Sequence, residues 1–307
     1  MPRHVVNELD RDPNPEWLAA PERGSIATIR FMAWMARALG RPVARLLLYP
    51  ICCYFLLFSG RARSASKAYL RRVLGREPGV GHVFRHFHTF ASTILDRVYL
   101  LNDQFYRFDV RVFGAGVIEQ LLANGGGCIL LGAHMGSFEI VRSVGRQAVG
   151  SRLSIAMYEE NARKIGSVIE AINPGLHRQV IALGQVDSVL KLEAALARGE
   201  AVGILADRAL AVEGSMTCDF LGGQARFPTG PLRIAAVLKC PVALMLGLYR
   251  GGNRYDVYLE LLADMTGIKP AARDQLVGES VRRYAARLEH FCRSAPYNWF
   301  NFYDYWC

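Results

Sequence analysis

An α/β fold is predicted: a mixed, largely parallel sheet flanked by helices, preceded by an N-terminal helical region that associates with a membrane. Three observations lead there. From Asp109 onward, short apolar runs alternate with helical patterns, the rhythm of βαβ units. Two later apolar runs are joined through Arg250-Gly-Gly-Asn-Arg254, a hairpin signal that makes the sheet mixed. Before residue 106 the periodicity is helical and encloses an apolar run between arginines. With 307 residues and 51% apolar composition the chain buries a large core. The expected division is 1–106, an arm and helical membrane-associating region, and 107–307, one integrated α/β unit.

Residues 1–24 are polar and proline-rich and read as an arm. Phe31, Met35, Ala38 and Leu39 then share a helical face, and Val83, Phe87, Phe90, Ala91, Ile94 and Leu95 form a second stripe. Between these stripes lies the apolar run Leu46 to Phe58, interrupted by Pro50 and shorter than the ~20 residues of a spanning helix. Arg41 and Arg45 precede it and Arg61 and Arg63 follow it, so flanking charge sets no orientation. A helix or hairpin lying in the interface is expected, with a tilted span as the alternative.

Between Gly60 and Gly75 the chain carries Arg61, Arg63, Lys67, Arg71 and Arg72 without an acid. Basic residues beside apolar ones favour an anionic membrane surface, where each contributes roughly 1 kcal/mol. The whole chain, with 37 basic and 27 acidic residues, carries +10 and calls for an anionic partner. No nucleic-acid motif accompanies the charge, so nucleic acid is not expected. The first 25 residues lack the apolar segment of a secretory signal, which places the body of the protein in the cytoplasm.

In the second region Arg111 to Gly114, Cys128 to Leu131, Leu153 to Tyr158, Gln179 to Leu183 and Ala201 to Leu205 read as strands. Val117 to Ala123, Ser137 to Val149, Asn161 to Ile172 and Leu190 to Ala197 read as helices, with Ser137 and Asp187 as caps and Gly199 as a stop. A helix from Leu232 to Lys239 precedes the antiparallel pair Pro241 to Leu248 and Tyr255 to Leu262, expected at one end of the sheet. The last helix, about Pro270 to Arg293, spaces Val277, Val281, Tyr284, Leu288 and Phe291 by fours and threes. The aromatic tail Tyr297 to Trp306 is expected to cap the core. Seven cysteines without a C-x-x-C read as reduced thiols. His82 and His86 share a helical face but lack an acidic third ligand, so no metal is expected.

Chemistry concentrates at two strand ends. Gly127-Cys-Ile-Leu-Leu-Gly-Ala-His134-Met-Gly-Ser-Phe-Glu139 reads as strand, tight turn and helix, and delivers a histidine and a carboxylate to a sheet edge, where α/β enzymes keep their sites. Glu139, in the first helical turn, is favoured as the anion. A carboxylate accepting one ring N–H frees the other nitrogen to take a proton, so His134 is a candidate general base and Glu139 its orienter. The strand ending at Leu205 leads to Asp207-Arg208 at another strand end. Beyond it, Gly222, Pro228, Thr229 and Gly230 precede a helix whose start suits a phosphate or oxyanion, with Thr229 as its cap.

Together these blocks resemble the bacterial lipid A late acyltransferases, the lauroyl and myristoyl transferases of the wider lysophospholipid acyltransferase group. His134-Met-Gly-Ser-Phe-Glu139 matches the His-x4-Asp/Glu block, Ala206-Asp207-Arg208 the acidic block, and Phe220-Leu-Gly-Gly with Phe227-Pro-Thr-Gly230 the glycine-proline block. A branch serving aryl polyene or related polyketide lipids is a second form of the resemblance. It implies a glycerol-phosphate-acyltransferase-like fold and transfer of a fatty acyl group from acyl carrier protein to a hydroxyl of a lipid or glycolipid at the cytoplasmic face of the bacterial inner membrane. No cofactor or metal is implied. His134 would deprotonate the acceptor and Glu139 would orient it, while Asp207 and Arg208, with Gly222, Pro228, Thr229 and Gly230, would shape the acceptor site. The oxyanion donor is expected near Gly136 or the Thr229-Gly230 turn.

Overall fold

The computed structural model describes residues 26–306 apart from 124, 150–152, 174–179, 186 and 210–213. The expected arm, Gln179 and the side chain of Phe31 lie outside the described residues. In β2 (Cys128–Gly132) every residue is buried, because alternate side chains feed two cores. Ile129 and Leu131 enter one, Cys128 and Leu130 the other. An apolar run of this kind is stable only with both faces covered, the condition of a parallel sheet between helices.

The sheet contains β1 (Asp109–Phe113), β2, β3 (Leu153–Tyr158), β4 (Val180–Leu183), β5 (Ala201–Leu205), β8 (Pro241–Gly251) and β9 (Arg254–Asp264). Their order is β1-β9-β8-β2-β5-β3-β4, with every neighbouring pair parallel except β8 and β9. Helix α4 (Ala115–Ala123) joins β1 to β2, while α5 (Phe138–Val149), α6 (Glu159–Ile172) and α7 (Ser188–Ala197) join β2 through to β5. Ser137 caps α5 as expected, its Oγ accepting the Ile140 N–H at 3.4 Å. Asp187 sits at the start of α7 but pairs with Lys191 instead of capping the backbone.

Two features depart from expectation. The β8–β9 hairpin is not at the sheet's end, because β1 pairs along β9 from Asp109 against Arg254 to Phe113 against Tyr258 and forms that edge. The stretch expected only as a glycine-proline block folds as a second hairpin, β6 (Ser215–Phe220) and β7 (Gly223–Pro228). Its two-residue turn is Leu221-Gly222, both at positive φ, where an Asn or Asp would have announced it. Leu221 is held there by burial and by its N–H, which donates to Glu289 Oε2 at 2.6 Å. The hairpin packs on the last helix, α9 (Arg273–Ser294), and leads into α8 (Gly230–Leu238).

The N-terminal region is α1 (Ile26–Phe58), α2 (Gly60–Leu74) and α3 (Val80–Leu100). Helix α1 bends at Gly40 (φ 77°, ψ 165°) and contains Pro42 and Pro50. The apolar segment is thus longer than the run after Arg45: Met32–Phe58, 27 residues, is long and apolar enough to cross a membrane by length and composition. One narrow face, Ala33, Ala36, Ala44, Leu48 and Cys52, is buried against the protein. Trp34, Leu46, Leu57 and Phe58 are 63–67% exposed, which is not the surface of a core helix. The expected stripe through Ala38 and Leu39 faces outward. On α3, Val83, Phe87 and Leu95 are buried, while Phe90 and Ile94 are exposed.

His86 of α3 is a core residue. Its Nε2 donates to the Trp299 carbonyl at 2.8 Å, so Nδ1 accepts from Ser66 Oγ at 2.9 Å. Burial lowers its pKa to about 4. A histidine held neutral in the fold contributes stability that is fully present above its unfolded value of about 6.5 and is lost as pH falls from there to about 4. Urea midpoints are expected to drop over that interval by the equivalent of about 3 kcal/mol. His86→Gln, measured at pH 7 and pH 5, is expected to show a smaller pH difference than the unsubstituted protein, and an equal one would contradict the assignment.

Candidate active site

Parallel pairing of β2 with β5 sets Gly132 beside Leu205, so the chain leaves both strands at one sheet edge. His134 emerges from β2 and Asp207 from β5. His134 Nδ1 lies 2.8 Å from Asp207 Oδ1, and the His134 backbone N–H donates to Oδ2 at 3.0 Å. Asp207 is fully buried, whereas the His134 side chain keeps 32% exposure.

The aromatic tail completes the arrangement. Trp299 Nε1 donates to Asp207 Oδ2 at 3.0 Å, Asn301 Nδ2 donates to the same oxygen at 3.1 Å, and the Tyr305 hydroxyl donates to the Asp207 carbonyl at 2.7 Å. The Phe300 N–H donates to the His134 carbonyl at 2.7 Å. Arg208 donates from Nε to Asn301 Oδ1 and from Nη2 to the Phe300 carbonyl. The tail therefore caps the core, as expected, and also holds the two polar strand ends together. Trp299 is 1% exposed and packs edge-on against Phe220, Tyr69 and Tyr305.

Burial disfavours the Asp207 anion, yet the His134 and Arg208 charges and the bonds from His134 and Asn301 override it, holding the carboxyl well below the usual range. Burial and the Arg208 charge lower the His134 pKa against the opposing pull of Asp207. At neutral pH the ring is therefore neutral beside an ionised carboxylate. A carboxylate only accepts, so the proton sits on Nδ1 and Nε2 carries the lone pair. That is the protonation state of a general base.

Glu139 does not hold the ring. It is 4% exposed at the second residue of α5, where Arg142 Nε donates to its Oε2 at 3.0 Å and Arg97 Nε of α3 lies 3.9 Å from Oε1. The helix turns its side chain toward α3, and the ring bond expected from it is made by Asp207. Glu139→Ala removes the carboxylate from a buried ion pair and is expected to cost about 3–5 kcal/mol, read as a lowered midpoint in urea. A midpoint within experimental error of the parent would contradict this clamp.

The glycine-proline block divides. Gly222 is at the exposed tip of the β6–β7 hairpin, and Pro228 ends β7. Thr229 stands at the start of α8 without capping it, because its N–H and hydroxyl both donate to the Gly214 carbonyl at 2.9 Å. Gly230 opens α8. Near His134 the Met135, Gly136 and Ser137 N–H groups already donate to the carbonyls of Ala133, Asn298 and Gly247, which argues against an oxyanion site at Gly136. Gly136 has φ +63°, and a Cβ there would overlap the Gly247 carbonyl, so the close approach of the turn to β8 requires glycine. Cys128 is fully buried with its thiol pushed up to about 12, a packing residue and not a nucleophile.

The family model of the bacterial lipid A biosynthesis acyltransferases matches residues 18–307. The chain belongs to that family. No curated protein matches it. As a lipid acyltransferase the protein has an acyl donor and a lipid acceptor. Its long apolar helix α1 fits association with a membrane. In this acyltransferase the sequence blocks at His134 and Asp207 converge on one bonded pair. Trp299, Asn301 and Tyr305 were missed as site residues, although a tail that mixes asparagines with polar-tipped aromatics was the available signal.

Proposed function

We propose that the protein transfers a fatty acyl group from acyl carrier protein to a hydroxyl of a lipid or glycolipid at the cytoplasmic face of the bacterial inner membrane. The observation that carries this reading is the His134–Asp207 bond at the carboxyl edge of β2 and β5, in a chain of this family. His134 Nε2 takes the acceptor hydroxyl proton while that oxygen attacks the thioester carbonyl. The C–S bond then breaks, and the imidazolium returns its proton to the departing thiolate. Asp207 holds the ring and stabilises its charged form, and Glu139 serves as the clamp between α3 and α5. The start of α8 after Pro228 is the proposed place for the developing oxyanion, through the Gly230 N–H because that of Thr229 is engaged by the Gly214 carbonyl, with Arg208 bordering the acceptor. Gly222 contributes to the acceptor region through its hairpin.

The test uses the full chain in detergent with a radiolabelled acyl-acyl carrier protein and a bacterial lipid extract. Labelled lipid that increases with added extract is expected. Free fatty acid at a rate unaffected by the extract would assign the same pair to hydrolysis, and no reaction with either would remove the enzymatic reading.

A further inference from the structure

A second polar recess lies on the same side of the fold. It is a cavity of about 310 Å³ between α1, α3, the end of β8 and the segment after α9, lined by Arg45, Arg85, His88, Arg250, Tyr297 and Asn298 among others. The volume falls at the lower end of small-ligand sites. Among the described residues no Asp or Glu lines it. Arg250 is paired with Asp256 at 2.7 Å. Among the described residues Arg45 donates only to neutral oxygens, Tyr249 Oη at 2.7 Å and the Gly252 carbonyl at 3.0 Å. Arg85 lies over the Tyr297 ring, 4.4 Å from its centre, and among the described residues has no carboxylate partner. The Nε2 of His88 is buried without a hydrogen-bond partner among the described residues. Two uncompensated guanidinium groups and an unmet imidazole nitrogen favour a multivalent oxyanion.

The rim indicates where that anion comes from. Arg45 stands on α1 beside Leu46 and Tyr49, which are 66% and 52% exposed, and the Tyr49 ring lies 4.8 Å from that of His88. The interior is cationic, and the edge continues onto the apolar helix. Asn298 in the wall also accepts the Gly136 N–H at 2.8 Å, two residues from His134. We propose that this cavity binds the phosphate of a lipid headgroup, whose chains run along the exposed face of α1. The assignment rests on the reading of the protein as a lipid acyltransferase.

The experiment titrates dihexanoyl phosphatidic acid, dihexanoyl phosphatidylglycerol and dihexanoylglycerol into the full chain in a nonionic detergent and follows binding by calorimetry. At least one phosphate-bearing lipid is expected to bind tenfold or more tightly than dihexanoylglycerol. The monoester binding alone indicates a phosphorylated acceptor, and both binding alike indicates a bilayer phospholipid. Arg45→Gln/Arg85→Gln is expected to remove the preference, and Arg85→Lys to keep part of it. Arg111→Gln/Lys269→Gln, which loses the same charge on exposed positions outside the cavity and outside the basic cluster after Gly60, is expected to retain it in full. Equal losses in the two double variants, no preference in the parent, or displacement of the lipid by 4′-phosphopantetheine would each overturn the proposal. Binding is read without turnover: phosphatidic acid bound by a chain that transfers no acyl group sinks the acyltransferase reading alone, and transfer without the preference sinks the cavity alone.

Discussion

His134→Ala is expected to lower acyl transfer about 10²–10⁴-fold, the range over which a positioned general base contributes. The imidazole is one-third exposed, so its loss removes little packing. Asp207 keeps three of its donors: the backbone N–H at 134, Trp299 and Asn301. The fold should therefore survive, and circular dichroism melting of the variant in detergent checks that it does. Initial rates of labelled acyl transfer then read the chemistry. A rate within tenfold of the parent, from a variant with the parent's melting curve, would remove His134 from the mechanism.

Asp207→Asn is expected to reduce turnover roughly 10³–10⁴-fold, the size of effect seen when a buried aspartate that fixes a histidine tautomer is replaced by its amide. Four N–H groups converge on this carboxylate: two from His134, one from Trp299 and one from Asn301. The amide NH₂ has to face at least one of those donors. If it faces Nδ1, the proton moves to Nε2 and the base is lost. If it takes the place of Oδ2, it faces the His134 backbone N–H, Trp299 and Asn301 together, and three buried donors go unmet at about 1–3 kcal/mol each, which favours the first orientation. Turnover and a urea midpoint on the same sample separate the two outcomes, and normal turnover with the parent's midpoint would contradict both. Asp207→Glu is not expected to rescue activity, since the added methylene displaces both oxygens in a fully buried site.

Much of this arrangement was legible in the sequence. Cys128 to Leu131 and Ala201 to Leu205 are uninterrupted apolar runs with glycine or polar residues just beyond, so both strand ends and the residues they carry stood out. What periodicity does not encode is which strands lie side by side. Glu139 is five residues from His134 and looked like its partner, whereas the true partner is 73 residues away and comes near only when β5 pairs with β2. The tail was readable as an apolar cap because its rings are dense. Its hydrogen bonds to Asp207 depend on where Trp299 and Asn301 point, which no spacing reports. Similarly, the apolar run from Leu46 to Phe58 is too short to span a bilayer when Arg45 bounds it and Pro50 interrupts it, yet the helix continues through both and its non-helical residue is Gly40.

The central claim is that His134 is oriented by Asp207 across the sheet edge and not by Glu139 along its own turn. The most direct measurement of it is the turnover number for acyl transfer by Asp207→Asn set against that of Glu139→Gln, each normalised to its folded fraction. Asp207→Asn is expected to be at least about 100-fold slower than Glu139→Gln, which should remain within about tenfold of the parent. The opposite order, with Glu139→Gln inactive and Asp207→Asn near the parent rate, would contradict it.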